Sequence, residues 1–495
     1  MKLARLLAQA GRPESVDGAL DGEVTGFAID HRKVAPGTVF GAFAGARFNG
    51  EDYIAAAVEA GAIAVVARPE AEVSGALHIT DSEPRKAFAR IAAGFFRPVP
   101  PTIVAVTGTN GKTSTVEMTR QLWRMAGERA ASIGTLGVTT PDESVSTGLT
   151  TPDIVTFLGN MAGLAREGVT HVAYEASSHG LSQYRNEGLP VAAAAFTNLS
   201  RDHLDYHATM EDYFAAKMRL FDEVVSDGAS VVVWADDSEW AGRAIGHAQA
   251  RRLRVLTVGE RGDFIRLLAR TPTQLGQDIA VLHDGQERKL RLPLIGAYQV
   301  ANALVAAGLV LATGGSASMT FDGVARLQPV RGRLERAAIS TNGAPVYVDY
   351  AHTPDALEAA IAALRPHVSG RLITVFGAGG DRDQGKRGPM GEAAARGSDL
   401  VIVTDDNPRG EDPALIRSAV LAGAGVNARE VADRRSAIAA AIADAGRDDI
   451  VLIAGKGHET GQIIGAEENM RILPFDDVEV ARECAGGSTG VSTGA

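Results

Sequence analysis

The stretch that most constrains the fold is residues 102–124, TIVAVTGTNGKTSTVEMTRQLWR. Its β-branched start predicts a buried strand, and apolar residues recur at helical spacing from residue 116 onward. Between strand and helix lies a glycine-rich turn, an arrangement in which backbone N–H groups, a helix N-terminus and a lysine bind phosphate. The sequence therefore predicts a phosphate-binding loop, in which a hydroxyl of the last two residues can reach Mg²⁺, made of Gly108, Thr109, Asn110, Gly111, Lys112, Thr113 and Ser114.

The match to the general phosphate-loop pattern is incomplete, because Val106 stands where that pattern has a glycine five residues before Gly111. The alternative is an ordinary strand-to-helix turn followed by an incidental lysine. Motif and context point to the same place, the junction of a strand and a helix, and therefore favour the phosphate loop.

Length and composition exclude several classes of protein. The 495 residues predict about three domains. A net charge of −11 disfavours a protein that wraps nucleic acid, which requires a basic surface. Cys484 is the only cysteine and allows no internal disulfide. Because no apolar run and no signal pattern predict a membrane segment or secretion, we expect a cytoplasmic protein without membrane insertion.

Strand and turn patterns divide the chain into three regions and a tail. Residues 1–98 predict a small α/β domain with strands at Thr25–Arg32, Val39–Ala44 and Ala62–Ala67. Residues 99–330 alternate strands and helices, which indicates a mostly parallel sheet. Residues 331–485 contain four strand-then-loop units that predict a second, doubly wound sheet, and residues 486–495 predict a disordered tail. The fold class is therefore α/β.

Two strand ends of the middle region carry candidate site residues. Glu175 follows one predicted strand and His203 follows another. Ligands of open parallel sheets bind at the carboxyl ends of strands, so both are candidates for a metal–phosphate centre. The alternatives are an acid near a helix N-terminus for Glu175 and a hydrogen-bonded loop histidine for His203. Lys217 lies in an amphipathic helical pattern, which alone predicts a surface lysine.

The strand ends of the last region carry a dense set of charged and polar side chains: His352, Asp355, Asp381, Arg382, Lys386, Arg387, Asp406, Asn407, Arg409, Lys456, His458 and Glu459. Such a density on one edge of a sheet predicts a binding site. For the segment DDNPRGEDP at 405–413 the alternative is a solvated turn before a helix, because Asp, Asn, Pro and Gly all favour turns.

The order of these motifs resembles the Mur ligase family and, within it, the UDP-N-acetylmuramoyl-tripeptide synthetases. The resemblance covers nearly all of residues 23–484 and is carried by TGTNGKTS, YEASSHGLSQYR, FTNLSRDHLDYH, AAK at 215–217, DYAHTPDAL, GAGGDRDQGKRGPMG, DDNPR and AGKGHE. It implies a UDP-muramoyl nucleotide domain at 1–98, a central P-loop-type ATPase domain at 99–330 and a C-terminal Rossmann-like ligase domain at 331–485.

The resemblance also implies an activity, which is ATP-dependent addition of meso-2,6-diaminopimelate to UDP-MurNAc-L-Ala-D-Glu through an acyl phosphate. The reaction would require ATP and Mg²⁺, and the partners of the protein would be these small molecules. The protein would act as a monomer in peptidoglycan precursor synthesis. Alternatives are L-lysine as the added amino acid, a sister Mur ligase or folylpolyglutamate synthase, and, outside the enzymes, an ATP-switched binding protein. DDNPR followed by AGKGHE favours the diaminopimelate ligase.

Roles for individual residues follow from the same resemblance. The catalytic set would be Lys112, Glu175, His203 and Lys217. The UDP end would contact Ile29, His31, Ala46, Arg47 and Phe48, and the dipeptide would contact Thr150, Thr151, Ser177, Gln183 and Arg185. ATP would also contact Asn302, Arg333, His352 and Asp355. Mg²⁺ ligands would be Thr113, Ser114, Glu175, His203 and a carboxylated Lys217. The amino acid would contact Arg382, Asp406, Asn407, Pro408, Arg409, Gly455 and Glu459. His31 replaces a serine frequent in the family, and Leu149 an asparagine found in some members.

Overall fold

The computed structural model describes residues 1–11, 15–17, 21–45, 48–145, 150–202, 206–236, 239–273, 276–381, 383–466 and 469–486. The chain forms two compact units. The first comprises residues 1–267, 282–286 and 301–324, and the second comprises residues 268–281, 287–300 and 325 onward. Among the described residues, none of the helices combines the length and apolar character that crossing a membrane requires.

The N-terminal sheet has the strand order β1–β5–β4–β3–β2, with β1 antiparallel to β5 and the others parallel. Its elements are α1 (Leu3–Ala10), β1 (Ser15–Asp17), β2 (Gly26–Ala28), β3 (Thr38–Gly41), α2 (Ile54–Glu59), β4 (Ala62–Ala67), β5 (Leu77–Thr80) and α3 (Pro84–Phe95). The predicted strand at 25–32 is too long. It ends at Ala28, because the Asp30 carboxylate accepts a hydrogen bond from Arg32 N (3.0 Å) and turns the chain into a 3₁₀ helix.

The central sheet has the order β16–β15–β14–β13–β12–β11–β6–β10–β7–β8–β9. Its strands are β6 (Thr102–Thr107), β7 (Ala130–Gly134), β8 (Gly137–Thr139), β9 (Ser144–Val145), β10 (His171–Glu175), β11 (Val191–Phe196), β12 (Val225–Trp234), β13 (Arg254–Gly259), β14 (Ile265–Thr273), β15 (Gly276–His283) and β16 (Gln286–Leu292). The helices are α4 (Lys112–Met125), α5 (Ile154–Arg166), α6 (Ser178–Ser182), α7 (Met210–Arg219), α8 (Glu239–Ala250), α9 (Ala297–Ala312) and α10 (Ala317–Val324).

The position of β6 explains where a ligand can bind. It pairs in parallel with β10 on one side and β11 on the other, and residues Ile103–Val106 are fully buried. The loop that follows β6 therefore emerges in the middle of the carboxyl edge of the sheet, where open parallel sheets bind ligands. The predicted mostly parallel sheet is confirmed, whereas the short antiparallel strands β8 and β9 at its edge were not anticipated.

The C-terminal sheet has the order β17–β18–β22–β19–β20–β21, parallel except for β17. Its strands are β17 (Glu335–Ile339), β18 (Pro345–Asp349), β19 (Leu372–Phe376), β20 (Leu400–Val403), β21 (Ala428–Glu430) and β22 (Ile450–Ala454), with a separate hairpin of β23 (Gly461–Ile464) and β24 (Arg471–Pro474). The helices are α11 (Pro354–Leu364), α12 (Arg387–Gly397), α13 (Pro413–Ala424), α14 (Arg434–Asp444) and α15 (Asp477–Cys484).

Helices cover both faces of this sheet. Leu372 and Phe376 of β19 belong to the apolar cluster that includes residues of α11, α12 and α13, whereas Ile373 and Val375 belong to the cluster that includes residues of α14 and α15. This alternation follows from the two-residue period of a strand. The predicted doubly wound sheet is thus confirmed.

Candidate active site

The loop between β6 and α4 has the geometry of a phosphate cradle. Gly108 and Gly111 adopt positive φ angles of 147° and 84°. A Cβ atom would collide with the Thr197 hydroxyl at Gly108 and with the Asn302 amide oxygen at Gly111, so only glycine fits either position. The Lys112 ammonium donates to Gly108 O (2.9 Å) and Thr109 O (2.8 Å) and lies over the loop at the helix N-terminus.

Two residues at the end of β11 hold this loop in place. Thr109 N donates to Asn198 O (2.9 Å), and Asn110 N donates to the Asn198 side-chain oxygen (2.9 Å). The Thr197 hydroxyl donates to Asn110 O (2.6 Å). Sequence reasoning missed Thr197 and Asn198. The available signal was the polar TN pair directly after a buried strand of the same sheet.

The Glu175 carboxylate is buried at the end of β10, with 2% of the residue exposed. It accepts hydrogen bonds from Thr135 N (2.7 Å) and Thr135 Oγ1 (3.2 Å). The cap of the following helix α6 is Ser177, whose hydroxyl accepts from Gly180 N. The helix-terminus alternative for Glu175 therefore does not describe this side chain, which points at the strand ends instead.

The residues predicted for the dipeptide form one hydrogen-bonded group. Thr150 Oγ1 lies 3.1 Å from Thr135 Oγ1, and Thr151 Oγ1 lies 2.9 Å from Ser177 Oγ. Gln183 and Arg185 join this group through the Arg185 guanidinium. Arg185 donates to Thr151 O (2.8 Å) and to Gln183 Oε1 (2.7 Å). Gln183 in turn donates to the Tyr206 hydroxyl (3.1 Å), a residue that the sequence did not single out.

Lys217 is 1% exposed, so the surface position predicted from its helical pattern is wrong. The reason is a buried acceptor, because Lys217 Nζ donates to Gly108 O (2.7 Å) and lies 4.3 Å from the centre of the Tyr213 ring. Burial, together with the charge of Lys112, lowers the pKa of the Lys217 amine well below its ordinary value. Burial therefore favours the neutral form of the amine over the ammonium.

The residues predicted for the UDP end are described only in part. His31 stacks on Tyr53 with ring centres 4.4 Å apart and planes 5° apart, and Phe48 is 73% exposed. Ile29 packs against the apolar core. Tyr53 was not anticipated. Ala46, Arg47, Leu149, His203, Arg382 and the tail at 487–495 lie outside the described residues, so their predicted roles stay predictions.

Two of the predicted ATP residues of the second unit, Arg333 and His352, lie against one aromatic ring. The Arg333 guanidinium lies 4.7 Å from the centre of the Tyr350 ring, and the His352 ring lies 4.5 Å from it. Lys386 donates to His352 O (2.9 Å), and burial lowers the pKa of His352. Asp355 lies in the first turn of α11. Asn302 lies in the first unit, beside Gly111.

The amino-acid rim, which we define as residues 405–409 and 454–459, is buried and internally bonded. Asp406 is 6% exposed and Asn407 is 3% exposed, so the solvated-turn alternative does not hold. Arg409 adopts a φ of +51° and donates to Gly380 O (2.9 Å). Its backbone also pairs with the hairpin, because Arg409 N donates to Ile463 O (3.1 Å). Pro408 and Gly455 complete the two loops.

The donor set of the first unit suits Mg²⁺. Thr113 and Ser114 begin α4 beside the loop and Glu175 ends β10, which offers two hydroxyls and a carboxylate, the oxygen ligands that Mg²⁺ prefers. Within the described ranges, no three His, Cys, Asp or Glu side chains gather into a metal-binding group.

Three family models match the chain. They are the Mur ligase family catalytic domain at residues 23–96, the Mur ligase middle domain at 106–310 and the Mur ligase glutamate ligase domain at 332–457. Folylpolyglutamate synthase from Mycobacterium tuberculosis in complex with ADP shares the fold, with a TM-score of 0.62 and 21% identity over 76% of this chain and 92% of that one.

Proteins named UDP-N-acetylmuramoyl-L-alanyl-D-glutamate–2,6-diaminopimelate ligase are much more similar. The one from Zymomonas mobilis is 60% identical, covering 94% of this chain and 95% of its own, and the one from Bradyrhizobium diazoefficiens is 50% identical, covering 97% and 98%. A solved structure of that name has a TM-score of 0.73 and 33% identity over 98% of this chain and 99% of its own. The chain therefore belongs to the Mur ligase family, as its motifs predict.

Proposed function

We propose that this chain is an ATP-dependent ligase that joins meso-2,6-diaminopimelate to the D-glutamate of UDP-MurNAc-L-Ala-D-Glu, with ADP and phosphate as products. The observation that carries the proposal is 60% identity, over 94% of the chain, to a ligase named for these substrates. The glycine-rich loop at Gly108–Ser114 and the buried, charged rim at 405–409 and 454–459 support the proposal, because such a reaction needs a phosphate site and an amino-acid site.

The chemistry follows from the poor reactivity of a carboxylate. Transfer of the ATP γ-phosphoryl group breaks its bond to the ADP oxygen and forms an acyl phosphate on the D-glutamate side chain. Lys112 and the N–H groups of the loop stabilise the negative charge of the transferring group. The neutral amine of the diamino acid then attacks the acyl carbon, the C–N bond forms, the C–O bond to phosphate breaks, and the ammonium proton is lost to solvent.

ATP and Mg²⁺ are the cofactors of this reaction. The ion neutralises charge on the phosphates, and the residues that would hold it are Thr113, Ser114, Glu175, His203 and a carboxylated Lys217. For Lys217 we propose that the amine adds CO₂, so that an N–C bond forms, a proton leaves and a cation becomes a carbamate anion. The lowered pKa of this buried amine supports the proposal, since only the neutral form reacts with CO₂.

We also propose domain limits and partners. Residues 1–98 would hold the UDP end, residues 99–330 ATP and the dipeptide, and residues 331–485 the incoming amino acid. His31 stacked on Tyr53 offers an aromatic surface for the UDP end, and the Thr151, Gln183 and Arg185 group offers donors for the dipeptide carboxylates. The protein would act as a cytoplasmic monomer on small molecules, without nucleic acid.

The test is ADP release measured over a panel of amino acids. A ligase of this kind releases ADP only when UDP-MurNAc-L-Ala-D-Glu and meso-diaminopimelate are both present. Release with D-Ala-D-Ala or with a folate and glutamate would instead indicate a sister ligase. Release that depends on neither the nucleotide peptide nor an amino acid would indicate an ATP-switched binding protein and would contradict the proposal.

A further inference from the structure

A buried hydrogen-bonded triad lies within the amino-acid rim and consists of Lys456, Asn407 and Glu459. The side chain of Lys456 is fully buried, and its Nζ donates to Asn407 Oδ1 (2.9 Å) and Glu459 Oε2 (3.0 Å). Asn407 Nδ2 donates to the same Glu459 oxygen (2.8 Å). Each of the three side chains therefore contacts the other two.

One oxygen atom of the triad, Glu459 Oε1, can still accept hydrogen bonds from a ligand. Asn407 Oδ1 accepts from Lys456 and from Ile463 N (2.9 Å), which uses both of its lone pairs. Glu459 Oε2 accepts two hydrogen bonds. In the described part of the chain no group donates to Glu459 Oε1, and 32% of the Glu459 side chain is exposed. The triad thus presents a single carboxylate oxygen to a ligand.

The charge of the triad keeps Glu459 anionic. Burial raises the pKa of Glu459, but Lys456 and the Asn407 amide outweigh burial, and the pKa lies below its ordinary value. A second buried cation, Arg434, fixes the end of β22. Arg434 binds Asp477 with two hydrogen bonds (2.8 and 2.7 Å) and donates to Ala454 O (2.9 Å), directly before Gly455.

We propose that Lys456 and Asn407 are positioning residues that hold Glu459 so that its Oε1 accepts the distal ammonium of the incoming diamino acid. The inference rests on the proposed function and deepens it. It gives the Asn407 carbonyl oxygen an indirect role, because that oxygen already accepts from Lys456 and from Ile463 N. A carboxylate oriented before binding loses little side-chain entropy when the ammonium arrives, which is why support by neighbouring groups increases affinity and selectivity.

The alternative is that the triad only stabilises the rim. Removal of Lys456 would then lower the stability of the protein and weaken all substrates together. In the positioning role, the loss is confined to the diamino acid and to its distal amine. A pair of ligands that differ in that amine alone therefore separates the two roles.

The experiment compares meso-diaminopimelate with 2-aminopimelate, which keeps both carboxylates and lacks one amine, by kcat/KM in the ADP-release assay. With 2-aminopimelate bound, Glu459 has no ammonium to pair with. We therefore expect the wild type to prefer meso-diaminopimelate by about 10² or more in kcat/KM. Lys456→Met, which removes the charge and keeps the volume, is expected to reduce that preference about tenfold, as are Asn407→Ala and Glu459→Gln. The double variant Lys456→Met/Glu459→Gln should lose no more than Glu459→Gln alone, because residues that act as a unit are not additive.

KM values for ATP and for the nucleotide peptide should stay within about twofold of wild type, because these ligands do not use the distal-amine site. Lys456→Gln retains an N–H donor and serves if Lys456→Met does not fold; it should keep part of the preference. Arg435→Met is the matched control, because Arg435 forms an exposed ion pair with Glu483 (2.7 Å) one residue from Arg434. It should leave the preference unchanged.

An unchanged or increased preference in Lys456→Met, additive losses in the double variant, or equal losses for all substrates would each overturn the positioning role. The failure of the proposed function would look different. In that case the wild type itself would release no ADP with meso-diaminopimelate, whereas failure of the inference alone leaves the wild type active and its variants as selective as before.

Discussion

The proposed phosphate loop of the first unit and the proposed amino-acid rim of the second are built in different ways. The loop is one contiguous segment, Gly108–Ser114, and it consists of backbone groups and one lysine at a helix N-terminus. The rim joins two loops about 50 residues apart, in which buried Lys456 donates to the Asn407 and Glu459 side chains and buried Arg434 donates to the Ala454 backbone. A local site is therefore expected to fail when its own residues change, and an assembled site when its supports change.

The largest effect should come from the loop. Lys112→Ala removes the charge that we propose stabilises the transferring phosphoryl group, and we expect turnover to fall by about 10³ or more. The fold should be unaffected, because the hydrogen bonds of the Lys112 ammonium to Gly108 O and Thr109 O lie within the loop itself. Turnover and circular dichroism measure the two outcomes. Arg124→Ala at the exposed end of the same helix is the control, and near-normal turnover by Lys112→Ala would refute the assignment of the loop.

The next effect tests whether the loop also depends on a buried support. Lys217 donates to Gly108 O and has a pKa lowered by burial, so it is a candidate for carboxylation by CO₂. Lys217→Ala should lose activity by about 10² or more, the usual cost of removing one preorganised charged group. Acetate or formate should restore part of the activity by placing a carboxylate in the space left by the side chain.

The matched experiment on the wild-type protein is the removal of CO₂. Activity should fall in CO₂-depleted buffer and return with bicarbonate, and mass spectrometry under native conditions should show the carbamate. Full activity of Lys217→Ala would exclude this role. Activity lost from Lys217→Ala but not restored by short-chain acids, with wild type insensitive to CO₂, would make the lysine a structural donor to the loop.

A smaller effect is expected at the rim. A distal carboxylate distinguishes diaminopimelate from L-lysine, and we propose that the Arg409 guanidinium pairs with it. Sites that leave a polar group unpaired discriminate by about 10⁴ in the best cases, and we expect Arg409→Ala to lose about 10² of that preference. The measurement is kcat/KM for both amino acids. Arg429→Ala on the exposed face of β21 is the control and should keep the preference for diaminopimelate. If Arg409→Ala also keeps that preference, Arg409 does not determine the specificity.

The same difference between the two sites explains what the sequence could predict. The residues of the phosphate loop were predicted because strand, glycines and lysine follow one another along the chain. The burial of Lys217 was not, because the acceptor that draws it inward, Gly108 O, lies 109 residues away. The helical pattern of residues 213–221 contains no information about that acceptor. A family resemblance marked the position, and the structure gives the physical reason for it.

At the rim, the motifs predicted which residues gather but not how they are bonded. Lys456 and Asn407 were counted among the charged and polar strand-end residues. Their mutual hydrogen bond, however, depends on the sheet order, in which β19 lies between β20 and β22. Arg434 and Asp477 carried no motif and escaped notice, because an ion pair across 43 residues leaves no periodic signal. The short strand β21 and the β23–β24 hairpin were also not predicted.

The smallest effect concerns stability and compares one helix from each unit. Asp153 caps α5 by accepting from Val155 N (3.0 Å) and Thr156 N (3.1 Å), and Asp433 caps α14 by accepting from Ser436 N (2.8 Å) and its hydroxyl (2.6 Å). Replacement of either aspartate by alanine should lower the free energy of unfolding by about 1 kcal/mol. Hydrogen exchange should locate each loss, with faster exchange in α5 for Asp153→Ala and in α14 for Asp433→Ala.

The pH dependence of the second cap has a definite sign. Hydrogen bonds from the Ser436 hydroxyl and N–H lower the pKa of Asp433 below its ordinary value of 3.8. The stabilisation is therefore fully present above that value and is lost as the pH falls through the lower, folded-state pKa. Wild type and Asp433→Ala should thus differ by the full amount at pH 7 and converge under strongly acidic conditions. A difference that stays constant down to the acid limit would show that the cap acts through its shape and not through its charge.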